Sequence, residues 1–166
     1  MSFDATGPIT TTSFGALGSF PVTLRITDDD TPPVTAQTTL NVVINTPPVA
    51  PTADADGPYV FCPQTQPWFL DGTGSVNPDE GQSEIGAPGD TIQEYAWELD
   101  GVGGDFDEAF GPQPDVTAFF TALGVGDYLI QLRVTDTTAT SYPSSGFGDL
   151  SDTGSAQVSV KDAADP

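Results

Sequence analysis

Alternating apolar and polar residues mark two stretches of the chain as β-strands of the same kind. In residues 18–30 ("GSFPVTLRITDDD") and in residues 126–138 ("GDYLIQLRVTDTT") every second position of the central part is apolar or aromatic. A period of two predicts a half-buried antiparallel strand. The stretches also match position for position, which indicates an internal repeat. The matched apolar faces are Phe20, Val22, Leu24 and Ile26 in the first copy and Tyr128, Ile130, Leu132 and Val134 in the second.

Further short strands are predicted between the two copies. "QPWFLDGTGSV" and "TIQEYAWELD" have the composition of strands, and "VTAFF" at residues 116–120 is interpreted as one more. Gly, Pro and Asp separate these segments so closely that no helix is predicted. In the second segment one face is aromatic and apolar, and we expect it to pack opposite the apolar face of the repeated strand. The residues of that face are Tyr95, Trp97 and Leu99.

The strands are organised as one complete module preceded by part of another. Residues 47–166 contain about six or seven short strands joined by turns, which predicts an all-β, immunoglobulin-like antiparallel β-sandwich. Residues 1–46 contain the counterpart of its C-terminal half only, namely the repeated strand and a closing strand with Leu40, Val42 and Ile44. The apolar face of this half module needs a cover. We expect that cover from preceding residues of a longer protein or from a neighbouring molecule.

The charge of the chain narrows the classes of function. Its 166 residues include 24 acidic and three basic residues, so the formal net charge is −21, and histidine is absent. So few basic residues argue against nucleic-acid binding. Without histidine, a Ser-His or Cys-His nucleophilic pair cannot form, and we expect no enzyme. The excess of acid suits a protein that binds divalent cations or stays soluble in a salt-rich exterior.

Two further features bear on the setting of the protein. No apolar run is long enough to span a membrane, so we expect no membrane insertion. Cys62 is the single cysteine, which rules out a disulfide within the chain. We expect its thiol to be a small half-buried side chain.

An acidic corner follows the tryptophan strand and is the main candidate for a cation site. In residues 98–108 ("ELDGVGGDFDE") five acidic residues surround three glycines. Glycine permits a tight loop, and carboxylates are ligands that calcium prefers. An earlier turn carries more such ligands and is expected to meet the corner at the same end of the sandwich; the alternative is a set of solvated turns without an ordered ion. The candidate calcium ligands are Asp100, Asp105, Asp107 and Glu108 from the corner and Asn77 and Asp79 from the earlier turn.

Four stretches of the sequence resemble the PKD domain, the immunoglobulin-like module of polycystins and of many large secreted proteins. They are "PTADADGPY", "DGTGSVNPDEG", "YAWELDG" and "GDYLIQLRVTD". The third looks like the Tyr-x-Trp-Asp strand of that family, with Glu98 where the family usually has Asp. The resemblance implies an extracellular or cell-surface protein, in which such modules act as non-catalytic spacers or adhesive units in tandem arrays.

Three functions follow as expectations. The favoured one is a spacer or adhesion module, stiffened by calcium, whose partners are neighbouring PKD-like modules of the same or another chain. The second is a self-assembling subunit of an extracellular filament or surface layer, that is, a homopolymer. The third is a carbohydrate-binding appendage of a secreted enzyme, in which Trp68 or Phe147 would stack on a sugar. The strand context of Trp68 favours a packing role instead.

Overall fold

Strands dominate the computed structural model, which describes residues 7–16, 18–84, 86–101 and 104–163. The chain divides into two compact units, residues 1–47 and residues 48–166. Each unit is built on antiparallel strand pairs, and the few helices are short. The prediction of an all-β, immunoglobulin-like class is therefore confirmed.

The first unit is built on one antiparallel strand pair, here named the N-terminal hairpin. Strand β1 covers Gly18–Thr27 and strand β2 covers Thr35–Ile44. Their register places Val22 opposite Leu40, so the apolar residues of both strands share one face, as the alternation predicts. Much of this face is open to solvent, since Leu40 is 69% exposed.

The second unit contains a five-stranded sheet. In space its strands lie in the order β3-β7-β6-β4-β5. Neighbours run antiparallel, except that β3 runs parallel to β7. The repeated strand β6 is central, and its inward-facing Ile130, Leu132 and Val134 are fully buried. The strands are β3 (Tyr59–Phe61), β4 (Ile92–Glu98), β5 (Ala109–Phe110), β6 (Gly126–Asp136) and β7 (Ser151–Val160).

Irregular segments, rather than regular strands, form the second layer of the sandwich. Residues 68–72 pair with residues 112–116 through three backbone hydrogen bonds. The two prolines of the latter segment lack an N–H group, so they contribute only their carbonyl oxygens to this pairing. The layer approaches the sheet so closely that a Cβ on Gly72 would lie 2.8 Å from Cδ2 of Leu132. A larger residue at that position would force the Leu132 side chain to shift, so glycine allows the two layers to meet this closely.

The core is assembled differently from the sequence-based expectation. Trp97 pairs with Leu132, and Tyr95 with Val134, in the register of β4 and β6. These residues are neighbours on one face of the same sheet, so the prediction that they oppose each other was wrong. The other side of the core is supplied by Trp68, Leu70, Val116 and Phe120.

Short helices contradict the expectation that the chain contains none. Helix α1 (Thr117–Leu123) occupies residues that the apolar run "VTAFF" predicts as a strand, and helix α2 (Thr138–Ser141) lies in the connection before β7. A single 3-10 turn covers Pro63–Thr65. The Asp115 carboxylate accepts a hydrogen bond from the Thr117 backbone N–H at 2.9 Å, an Asx turn that leads into helix α1. Across the described residues, no helix is long and apolar enough to cross a membrane.

Candidate metal centre

The acidic corner begins where β4 ends. Along this strand, inward-facing Trp97 is followed by outward-facing Glu98, the last residue of β4, whose register partner on β6 is Gln131. The corner at residues 99–108 leads directly into β5, which pairs with the other edge of β4. The corner therefore has to cross the end of β4 close to the Glu98 side chain.

An aromatic side chain of the corner lies on the outer face of the sheet. Phe106 is buried, and the guanidinium carbon of Arg133 lies 4.8 Å from the centre of its ring. Arg133 also forms an ion pair with Glu94, with 3.5 Å between nitrogen and oxygen. The backbone of Phe106 has a φ of 56°, a left-handed conformation that is unusual for a bulky residue. Burial of the Phe106 ring and its contact with the Arg133 guanidinium offset this strain.

Three carboxylates converge beside this aromatic contact. One side-chain oxygen from each of Glu98, Asp105 and Glu108 lies within 4.8 Å of the other two. Glu98 is only 1% exposed, and neither of its carboxylate oxygens has a hydrogen-bond partner among the described residues. Asp105 is exposed, while Glu108 is half-buried and accepts a long hydrogen bond of 3.4 Å from the Leu99 backbone N–H. The cluster therefore has a buried, unpartnered carboxylate at its base and an exposed one at its mouth.

Burial and neighbouring negative charges both raise a pKa within this cluster. Burial raises the pKa of Glu108, and the nearby charges of Glu98 and Asp100 raise it further against the opposing effect of backbone hydrogen bonds. Both causes act because the charged form of a carboxylate is disfavoured by low dielectric and by neighbouring negative charge. A cation bound between the carboxylates would offset both effects on the pKa of Glu108 by stabilising its charged form.

Only part of the predicted ligand set comes together here. Asp105 and Glu108 belong to the cluster, whereas Asp107 is exposed and lies outside it. Asp100 is also outside it, although its charge acts on Glu108. Glu98 was not among the predicted ligands, although it is the first residue of the acidic stretch 98–108. The sequence feature that could have identified Glu98 as a ligand is its position at the end of a strand, directly before an acidic corner.

The earlier turn does not share this site. Asp79 lies near the start of β4: Gly81, two residues further on, donates a backbone hydrogen bond to the carbonyl of Asp90, at 2.7 Å. Glu98 is at the opposite end of that seven-residue strand, about 20 Å away at the usual rise per residue. The expectation that the two turns meet at one end was wrong, because successive turns of the sheet alternate between its ends.

Asn77 and Asp79 have a buried environment of their own. They are 6% and 3% exposed, and one Asp79 oxygen accepts a hydrogen bond from the Val49 backbone N–H at 2.9 Å. Among the described residues, the Asn77 side chain and the other Asp79 oxygen have no hydrogen-bond partner. Burial raises the pKa of the Tyr142 hydroxyl, and the charges of Asp79 and Asp90 add to this. This end of the sheet is thus a second buried polar region.

The class of protein that the fold defines is an all-β, immunoglobulin-like sandwich. No family model matches the sequence, and none of the curated proteins matches it. Among solved structures, the chain is similar to the solution structure of the PKD domain from KIAA 1837 protein. The sequence identity is 20%, the TM-score is 0.41, and the match covers 74% of this chain and 97% of that chain.

Proposed function

We propose that the protein is part of a non-catalytic, extracellular array of PKD-like sandwich modules, in which it acts as a spacer or adhesion link stiffened by calcium. Its partners are neighbouring modules of the same or another chain. The observation that carries this proposal is that one strand pair occurs twice in the chain, as β1–β2 and as β6–β7. Repeated modules that contact mainly their neighbours are typical of extended arrays.

The two strand pairs correspond down to individual hydrogen bonds. Asp28, at the end of β1, donates its backbone N–H to the Val34 carbonyl at 3.1 Å, and its carboxylate accepts from the Val34 N–H at 2.7 Å. Asp136, at the end of β6, makes the same two bonds with Leu150, at 2.9 and 2.8 Å. The Thr-Asp motif of the repeat therefore closes the connection between the strands in both copies, although the second connection is longer.

Charge and linker composition support the same proposal. A net charge of −21 on 166 residues favours a protein that is soluble and relieved of self-repulsion in salt-rich surroundings. The proline-rich residues 45–51 join the two units, and such a composition makes a semi-rigid rather than a floppy connection. A stiff link between sandwich modules is what a spacer requires.

A module-completion experiment tests this proposal. A duplicate of residues 48–123, fused ahead of the chain, supplies the segments that in the second unit accompany β6 and β7. Amide hydrogen exchange of β1 and β2 should slow markedly in the fusion, because the apolar face of the N-terminal hairpin becomes covered. Leu24→Lys in the same fusion should restore fast exchange, whereas Thr23→Lys on the opposite face should not. Unchanged exchange in the fusion would contradict the array of modules.

The exposed face of the N-terminal hairpin favours the filament subunit as a second candidate. Leu24 and Ile26 are 58% and 62% exposed, and a neighbouring molecule that covers them would give a self-assembling chain. Sedimentation velocity over a wide range of concentration separates the candidates. A spacer whose hairpin is covered by another part of its own protein should stay monomeric in this measurement, whereas a filament subunit should associate. Leu40→Lys should abolish that association, and Thr39→Lys on the opposite face should leave it unchanged.

One of the two aromatic side chains on which the carbohydrate-binding alternative depends is buried and cannot stack on a sugar. Trp68 is 4% exposed and its indole N–H donates a hydrogen bond to the Cys62 carbonyl at 3.0 Å, so its predicted packing role is confirmed. Phe147 is 51% exposed and is the remaining candidate for stacking on a sugar. A glycan array probed with the full chain should show no binding, and binding that Phe147→Ala removes would restore this alternative.

A further inference from the structure

We propose that Glu98, Asp105 and Glu108 bind one calcium ion, with Glu98 as the buried anchor of the site. This deepens the calcium part of the proposed function by naming its ligands. Glu98 is the residue that distinguishes the site from an ordinary acidic turn. It is 1% exposed, it points into the cluster, and both of its oxygens lack a hydrogen-bond partner among the described residues.

A buried, unpartnered carboxylate of this kind is stabilised by a counter-charge. Removing a charge from water is costly unless the charge is paired or coordinates a metal. The chain has only three basic residues, Arg25, Arg133 and Lys161. Arg133 is the one on the adjacent strand, and it pairs with Glu94 and lies over the Phe106 ring. A bound cation is therefore the partner that the carboxylate of Glu98 fits.

The type of ligand atom and the number of carboxylates favour calcium. All three donors are carboxylate oxygens, which suit a hard cation. Oxygens on opposite sides of a calcium ion are separated by twice the metal–oxygen distance, about 5 Å, whereas around magnesium the separation is about 4 Å. The three oxygens lie within 4.8 Å of one another, a separation that one calcium ion can bridge. Magnesium demands a near-ideal octahedral geometry and usually retains several waters, so it fits a cluster of three protein carboxylates less well.

The site would close the corner over the sheet. Glu98 belongs to β4, whereas Asp105 and Glu108 lie on the segment that crosses its end. An ion that joins them links the corner to the strand at the side where Phe106 already covers Arg133. Calcium would thus fix the connection between β4 and β5, which is a stiffening role rather than a catalytic one.

Calorimetric titration of the full chain with calcium tests the proposal, at constant ionic strength and with magnesium as the comparison ion. We expect one site that prefers calcium. Glu98→Gln and Asp105→Asn should each weaken its affinity about tenfold or more, since each removes one of three charged ligands. The matched control is Glu80→Gln, which removes the same charge from an exposed residue outside the cluster and should leave the affinity within about twofold.

Thermal melting distinguishes a ligand from a merely structural residue. In the presence of a chelator, Glu98→Gln should melt at or above the temperature of the unmodified chain, because the substitution removes an unpartnered buried charge. With calcium the order should reverse, since only the unmodified chain gains stability. If Glu98→Gln fails to fold, Asp105→Asn, at an exposed position, should lose the calcium-dependent gain in melting temperature in the same way.

Two results would overturn the site. An equal calcium shift in the unmodified chain and in the Glu98 and Asp105 variants would mean diffuse screening of a very acidic chain. The absence of any calcium binding would leave the corner as a solvated turn. Neither result bears on the module-completion experiment, so failure of the metal site and failure of the array are distinguishable.

Discussion

Strands β1 and β6 carry the same pattern of residues in opposite surroundings. Leu24 and Leu132 occupy equivalent positions of the repeat, yet Leu24 is 58% exposed and Leu132 is fully buried. Both strands pair antiparallel with the strand that follows, and an aspartate closes each connection, directly after β1 and as the last residue of β6. The pairing of the strands is therefore the same in the two units, and the covering of their apolar faces is not.

The difference shows which parts of such a module are local and which are not. Alternation and the Thr-Asp closure act between strands that are near in sequence, so they produce a hairpin in both units. Burial depends on segments distant in sequence, namely residues 68–72 and 112–116, which lie against β4 and β6 in the second unit. Each large apolar side chain that gains such a cover contributes about 1.5–3 kcal/mol. Most of the stability of the second unit should come from that cover.

Trp97→Ala provides the strongest challenge to this view, because it removes a fully buried side chain of the complete module. We expect it to lower the free energy of unfolding by about 3–5 kcal/mol, the usual cost of truncating a large core residue. Urea unfolding followed by circular dichroism measures the loss. A loss below about 1 kcal/mol would mean that the Trp97 ring is not part of the core.

A matched pair of truncations at equivalent positions addresses the comparison directly. Leu132→Ala should lower the free energy of unfolding by about 2–5 kcal/mol, whereas Leu24→Ala should change it by less than about 0.5 kcal/mol. Fluorescence of Trp68 and Trp97 reports the second unit, which contains both tryptophans. Global stability of the N-terminal hairpin can be followed separately by amide exchange of β1. Equal losses in the two variants would show that the faces of β1 and β6 have the same cover.

The fold was predictable from sequence as far as its periodic parts extend. Alternation assigned residues to the correct face of β1 and β6, and the repeat related the two units. It does not reveal whether two strands lie side by side or in opposite layers, so Trp97 and Leu132 were placed wrongly. Residues 116–120 are too short a run to distinguish a strand from a helix. In the structure they lead into helix α1, and Phe120 packs in the core.

The candidate metal site was predictable in part, for a similar reason. Asp105 and Glu108 stand in an acid- and glycine-rich corner, a local pattern that is visible in the sequence. The burial of Glu98 depends on how the corner returns across β4, with Phe106 in a left-handed conformation that favours glycine elsewhere. No periodicity encodes that return, so the sequence pattern alone does not predict a buried carboxylate at Glu98.

The aspartates that close the two connections provide a smaller test of the comparison. The Asp136 carboxylate is buried and accepts hydrogen bonds from the backbone N–H groups of Thr138 and Leu150, at 3.0 and 2.8 Å. Asp136→Ala should lower the free energy of unfolding by about 1–3 kcal/mol, because buried donors lose their acceptor. Asp28→Ala should cost about 0.5 kcal/mol or less, since its equivalent bonds are exposed to water. A larger loss for Asp28→Ala in chemical denaturation would reverse the assignment of buried and exposed copies.

The last expected effect is that of one side chain that fastens the second layer to the sheet in the second unit. The Tyr59 hydroxyl donates a hydrogen bond to the Ala55 carbonyl and accepts one from the Asp71 N–H, both at 2.8 Å. It thereby ties the edge strand β3 to the second layer. Tyr59→Phe should lower the free energy of unfolding of the second unit by about 1–2 kcal/mol at neutral pH and leave the exchange of β1 unchanged.

The pH dependence of that effect follows from the phenol itself. Burial raises the pKa of Tyr59 from 10.0 to about 12, against the lowering effect of the Asp71 hydrogen bond. Because the folded pKa is the higher one, the neutral phenol stabilises the folded state fully below pH 10 and loses this contribution as the pH rises towards 12. The difference in stability between the unmodified chain and Tyr59→Phe should therefore shrink across that interval. Urea melts of both proteins at several alkaline pH values measure it, and a difference that stays constant would show that the phenol does not hold the two layers together.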